Sequence, residues 1–423
     1  MAVIPVAMAA TAALTWTAVG MPGWASEDKA VKKSQQTGAA TTPPVACDQQ
    51  DSPKKGWYQP VYVHRTNAGD PAKAVKTIRH IMWSADQVFE ASAQRFGQGD
   101  SRRLRFAQDK DCQIEVMSVA VEGLPAKPTF FETRKKAEAA VAAEVRKGDA
   151  AAKQRFKRTR PVYFFDTDAK GCGVATTPKP KRRADLHTGR VAVSWRCATV
   201  QAVTHEMIHQ FGVSHCDNKH DQGGDPICRG YDRSPRCNDL MANVALDCAK
   251  DEFSYFSPRP TAGSILAKRP KENVANSPYL IKDQPAPTMD VRLAGARSGR
   301  CLAQGKGDTV AQKDCGSGDG QTWSRSFNKD GYLTLTLKSS GECLTAPSGT
   351  GGGSAATLAK CKPGDQRQQW WMPSGRGHGA DVYQVVNRAT RKPAGIQGSS
   401  RNEGAPLVVG RGGTLGFRIV IVK

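Results

Sequence analysis

Apolar positions along the first two thirds of the chain alternate between strand and helix spacing. Residues 60–64 have the valine and tyrosine content of a strand. From Pro71 to Phe96, Val75, Ile78, Ile81, Met82, Ala85, Val88 and Phe89 recur at helical spacing, and Gly97 supplies the stop. Residues 104–106 and 114–121 read as strands, and 129–156, rich in Ala, Lys and Glu, as one or two exposed helices. Short apolar runs at 162–165 and 191–195 predict buried strands, and 199–211 predicts a helix closed by Gly212. Strands interleaved with helices indicate an α+β or α/β domain. After Tyr255 the chain is punctuated by Pro258, Pro260, Pro270, Pro278, Pro285 and Pro287, and beyond them it is Gly-rich with short strand-like runs such as 332–337 and 416–422. That part is expected to be all-β.

This divides the chain into 57–282, a linker at 283–290, and 291–423. Residues 2–20 form an apolar, Ala-rich run, followed by Gly23 and Ala25 at the spacing signal peptidase requires. The expectation is a cleaved signal at 1–25 and a secreted protein, with no other segment apolar enough to cross a bilayer. Residues 26–56 are polar and read as a flexible leader or short pro-segment.

Twelve cysteines fit an oxidising compartment. Eight precede the linker (Cys47, Cys112, Cys172, Cys197, Cys216, Cys228, Cys237, Cys248) and four follow it, so each part has an even set. Cys47 is read as half of a disulfide rather than a latency switch on a metal. The net charge of +22 points to anionic surroundings. Its clusters, such as Arg134-Lys135-Lys136, are dispersed and no nucleic-acid module is visible, so adhesion to an anionic envelope is expected rather than nucleic-acid binding.

The stretch that carries chemistry is His205-Glu206-Met207-Ile208-His209-Gln210-Phe211-Gly212-Val213-Ser214-His215. Residues four apart share a helix face, so His205 and His209 can reach one ion. Gly212 can adopt positive φ, ending the helix and returning His215 as a third ligand. His215 is preferred by spacing over His220, whereas His80 and His187 belong to no such pattern. Three imidazoles and one open position suit catalytic Zn2+, with Glu206 as the general base for a zinc-activated water.

H-E-x-x-H-x-x-G-x-x-H resembles the metzincin clan of zinc endopeptidases. The resemblance spans 57–282, with its specific motifs within 205–241. It implies a Met-turn beneath the metal, for which Met241 in Asp239-Leu240-Met241-Ala242-Asn243 is the candidate. Asn243 stands where some branches carry tyrosine, so a tyrosine ligand is not expected. Residues 163–176 and 251–258 also resemble secreted, actinobacterial metzincin-like proteins.

Beyond the linker the chain repeats itself. Cys301-Leu302, Cys315 and Gln321-Thr322-Trp323 correspond to Cys343-Leu344, Cys361 and Gln368-Gln369-Trp370. An eroded third unit ends at Leu415-Gly416-Phe417. Because each pair brackets one repeat, Cys301–Cys315 and Cys343–Cys361 are the expected disulfides. Three such units resemble the ricin-type β-trefoil lectin module, with Trp323, Trp370 and Phe417 filling its core. That family places an Asp after Cys-Leu to hold sugar hydroxyls; here the positions are Ala303, Thr345 and Gly395.

The expectation is thus multidomain: an α+β metzincin-like zinc-protease domain, then an all-β trefoil. It describes a secreted, monomeric zinc endopeptidase acting on proteins or peptides, attached to cell-wall or glycan polymers by its trefoil. The alternative is a non-catalytic lectin or adhesin with a structural metal site.

Overall fold

The structure is a computed structural model that describes residues 43–66, 70–167, 169, 171–176, 184–185, 189–215, 225–227, 245–247, 254–349, 353–373, 381–410 and 416–422. These all lie within Ala40–Lys423, which cluster as one unit. The signal at 1–25, leader residues up to 42, Met241, Cys216, His187 and His220 lie outside the described residues.

The first part runs β1 (Trp57–Arg65), α1 (Pro71–Phe96), β2 (Arg102–Leu104), β3 (Met117–Val121), α2 (Phe130–Lys147), α3 (Ala150–Lys157), β4 (Thr159–Asp166), β5 (Gly173–Thr176), β6 (Arg190–Ser194), α4 (Val200–Gln210) and β7 (Leu280–Lys282). Five strands form a mixed sheet in the order β3-β1-β4-β6-β5, with β5 antiparallel on one edge and the other pairs parallel. Parallel strands need both faces covered. On one face Val63, Tyr163 and Phe165 meet Ala137 and Val141 of α2. On the other, Tyr62, Phe164 and Val193 share a core with α1 and α4.

Local chemistry sets the helix ends. Asp70 caps α1 by accepting from the Ala72 N–H, with Pro71 at the first turn and Gly97 closing the end. Thr129 and Glu132 form a reciprocal capping box on α2. Residues 43–56, read from composition as leader, are held down. Cys47 is bonded to Cys112, Asp48 pairs with Arg105 at 2.7 Å, and the Gly56 N–H donates to the Pro278 carbonyl.

Helix α1 is buried without a break from His80 to Gln94, wider than a single apolar stripe produces. The C-terminal part covers its second face. Arg325 lies over the Trp83 ring at 5.2 Å and donates to Gln87 Oε1 at 3.0 Å. Trp83 also meets Tyr383 edge-on at 5.7 Å, and the Tyr383 hydroxyl bonds His80 Nδ1 at 3.2 Å. Gly331, at φ +76°, sits directly on the Ala91 backbone. The segment 283–290 is tied in as well, since the Ala286 N–H donates to Glu90 Oε1 at 3.0 Å.

That C-terminal part contains β8 (Met289–Gly295), β9 (Cys301–Gln304), β10 (Val310–Lys313), β11 (Trp323–Phe327), β12 (Leu333–Leu337), β13 (Cys343–Thr345) and further short strands up to Phe417–Ile421. Its pairings are antiparallel, and Phe417–Ile421 returns to pair with β8. Trp323, Trp370 and Phe417 are all buried in its core. The repeat is chemical as well as geometric. Trp323 Nε1 donates to the Leu302 carbonyl and Trp370 Nε1 to the Leu344 carbonyl. Gln321 bridges Asp314 O and Gly316 N around Cys315; Gln368 bridges Lys360 O and Lys362 N around Cys361. Cys301–Cys315 and Cys343–Cys361 are disulfide-bonded. Among the described residues no helix is long and apolar enough to cross a membrane.

Candidate metal centre

Helix α4 begins at Thr199, whose side chain accepts from the Ala202 N–H. Val200, Val203, Met207 and Ile208 turn into the core, which leaves His205, Glu206 and His209 toward the other side. After Phe211 the chain reverses at Gly212, at φ +82°, whose N–H bonds the His209 carbonyl at 2.9 Å. That conformation favours glycine. The reversal sets the Val213 carbonyl 2.8 Å from His209 Nδ1 and brings His215 back over the helix.

The structure brings the three histidines together. His215 Nε2 lies 3.1 Å from His205 Nε2 and 3.2 Å from His209 Nε2. His205 Nδ1 donates to the Pro226 carbonyl at 2.5 Å, as His209 Nδ1 does to Val213. Each Nδ1 proton is thereby fixed, and the neutral rings of His205 and His209 turn their Nε2 lone pairs inward. Burial lowers the pKa of both, that of His209 to about 4, so they are neutral at physiological pH. With His215 Nε2 also unprotonated, the three atoms would present their lone pairs to one shared cation. Four-coordinate Zn2+ with bonds of about 2.0–2.1 Å sets its ligand atoms about 3.3 Å apart. The donor set fits a divalent zinc-like ion.

Glu206 stands beside this cluster, and burial alone pushes its carboxyl up to about 7. Its neighbour is Gly173 at the start of the edge strand β5. A Cβ there would lie 2.5 Å from Glu206 Oε1, so the absence of a side chain makes room for the carboxylate. The Cys172–Cys197 disulfide ties this end of β5 to the segment entering α4. Gly173 and Pro226 were not singled out in the sequence. The only signal for the first was a glycine following a cysteine; for the second there was none.

Comparison with known proteins bears on the other end of the chain. Residues 289–410 match the family model described as "Ricin-type beta-trefoil lectin domain". This segment is a ricin-type β-trefoil lectin domain. The match lies wholly outside the histidine cluster. Solved structures similar to the chain include the designed three-fold symmetric protein ThreeFoil, at 25% identity over 31% of this chain and 99% of that one, TM-score 0.29. A Macrolepiota procera ricin B-like lectin in complex with lactose is 14% identical over 32% of this chain and 97% of that one, TM-score 0.28. A GlcNAcα1-4Gal-releasing endo-β-galactosidase from Clostridium perfringens is 20% identical over 32% of this chain and 33% of that one, TM-score 0.27. No curated protein matches the chain.

Within the lectin domain, the positions where an acid was expected for a sugar have other uses. Ala303 is buried. Thr345 is buried too, with its hydroxyl donating to the Cys343 carbonyl and accepting from Gln368 Nε2. Gly395 lies in a strand paired with Leu407–Val409.

Proposed function

We propose that this protein is a secreted zinc endopeptidase whose ricin-type trefoil attaches it to glycan or cell-wall polymers. The observation that carries the reading is the meeting of three histidine Nε2 atoms on the reversal at Gly212, on a helix that also carries the half-buried Glu206 carboxyl. His205, His209 and His215 would hold the ion. Bound Zn2+ supplies a Lewis acid for a peptide carbonyl and lowers the pKa of water toward ~7. Glu206 Oε1 supplies the proton acceptor. A carboxyl with a pKa near neutrality can take a proton during attack and return it to the leaving amine. Gly173 of β5 leaves the room that carboxyl occupies, and no Ser or Cys nucleophile is required.

The disulfides and the lectin domain are compatible with an extracellular setting. The trefoil supports carbohydrate attachment as its role. The test is casein or peptide-library digestion by the full chain, by Glu206→Gln, and by chain treated with a chelator. Loss of cleavage in the latter two, with zinc restoring only the wild type, supports the proposal. Equal cleavage by Glu206→Gln rejects the role given to Glu206. Zinc and glycan binding without cleavage by the wild type favours the lectin or adhesin reading.

A further inference from the structure

Two buried carboxylates and a buried phenol lie behind the histidine cluster. Asp225 and Asp247 are 3% and 4% exposed, and Tyr255 is 1% exposed. Burying such groups is costly unless each is hydrogen-bonded. Tyr255 donates its hydroxyl proton to Asp225 Oδ1 at 2.8 Å, while the same oxygen of Tyr255 accepts from the Asp247 N–H at 3.1 Å. Asp247 Oδ2 accepts from the Tyr255 and Phe256 N–H groups at 3.1 and 3.0 Å. Asp225 Oδ1 also accepts from the Ile227 N–H at 3.0 Å, closing a turn around Pro226. The Pro226 carbonyl is the group that receives His205 Nδ1–H.

The bonds form one path. Helix α1 holds its far end: Ser92 Oγ accepts from the Leu246 N–H at 2.9 Å, and Phe256 packs edge-on against Phe89 at 6.0 Å. Asp247 then fixes the backbone of Tyr255, the phenol reaches Asp225, Asp225 shapes the turn, and the turn aims a carbonyl at His205. Proline at the centre of that turn has no N–H and a fixed φ, so its carbonyl direction is set mainly by how the turn is closed. If that carbonyl swings away, the proton of a neutral His205 is free to move to Nε2, the atom that faces His209 and His215.

We infer that Tyr255, acting through Asp225 and the Pro226 carbonyl, is a positioning residue that holds His205 in the tautomer able to bind the metal. The inference rests on the zinc reading of the three histidines. Tyr255 touches neither the ion's ligand atoms nor Glu206 in any contact described above, so its influence is on metal affinity and ligand orientation.

The test is Tyr255→Phe in the full chain, which removes one oxygen, with Zn2+ alone as probe. Affinity is measured by chelator competition, and ligand geometry by the visible d–d bands of the Co2+-substituted protein. Zn2+ affinity is expected to fall by about 10-fold, the lower end of the loss that follows when the direct outer partner of a metal-bound histidine is removed, because Tyr255 acts on that partner through Asp225. The cobalt bands are expected to shift. Tyr383→Phe is the control, since it deletes an equally buried hydroxyl that bonds His80 and Ser84 instead, and is expected to leave both readouts unchanged. If Tyr255→Phe does not fold, Asp225→Ser approaches the same hydrogen bond from its other side with the same expected loss. Affinity and spectrum within twofold of wild type in either folded variant overturn the inference while leaving the metal site standing. A wild-type chain that does not bind Zn2+ overturns the underlying reading.

Discussion

Gly331 tests whether the lectin domain and helix α1 are packed as one body. It ends a turn in which Asn328 Oδ1 accepts from the Asp330 and Tyr332 N–H groups. At φ +76°, a Cβ on Gly331 would lie 2.3 Å from the Ala91 carbonyl oxygen and 3.0 Å from its carbon. That is about 1 Å inside the ~3.3 Å at which carbon and a carbonyl oxygen ordinarily meet. The obstacle is backbone in the middle of a buried helix, so it cannot rotate away. Gly331→Ala therefore carries two costs: about 1–2 kcal/mol for a left-handed alanine, and about 1–3 kcal/mol for the overlap. Gly341 separates them. It has φ +71° with nothing within 4 Å of its Cβ position, so Gly341→Ala reports the backbone cost alone. Urea unfolding of the full chain, with both variants beside wild type, measures the difference. Gly331→Ala should be less stable than Gly341→Ala by the overlap cost. Equal stabilities refute the packing of the trefoil on α1.

His80 lies at the same junction, its pKa lowered to about 4 by burial, against the opposing pull of Asp381 and alongside Lys76. Because its folded pKa is below the unfolded value of about 6.5, the unfolded chain binds more protons between those values, and stability falls as pH drops through that window by up to about 3 kcal/mol. Comparing acid unfolding of wild type with His80→Gln checks this; the variant should lose less over the same interval. Replacing Cys343 and Cys361 by Ser should cost about 2–5 kcal/mol in chemical denaturation, since the bridge closes a loop within a small β unit. Glu206→Gln should lower the hydrolysis rate by at least about 100-fold while leaving zinc content unchanged, measured by peptide turnover and elemental analysis of the same sample. A parallel loss of metal contradicts the role of the carboxyl as proton acceptor.

What could be read from the chain depended on how local the signal was. Helix α1 was legible to its ends because its apolar spacing begins after Pro71 and Gly97 is itself a stop signal; the Asp70 cap is a feature the structure adds. The histidine motif was legible because helix pitch and one positive-φ glycine bring together residues only ten positions apart. The trefoil repeats were legible because Gln and Trp make the same bonds in two units. The partners of the site were not. Pro226 meets His205 across 21 residues and Tyr255 meets Asp225 across 30, and no periodicity records such contacts. The apolar spacing of α1 marked one face, whereas its polar residues are buried by distant partners: Gln87 by Arg325 of the lectin domain, Asp86 by Arg103 and the Leu104 N–H, and Glu90 by Ser101 and the Ala286 N–H. The leader's Cys47 was legible as half of a disulfide, which it forms with Cys112, whereas its polar composition gave no sign that Asp48 would pair with Arg105.

The most direct measurement is the metal content of the full chain purified without added chelator, beside His209→Ala. One zinc per chain in the wild type and almost none in the variant is the predicted result. Metal-free wild type, or equal zinc in both proteins, contradicts the claim that these imidazoles hold a cation.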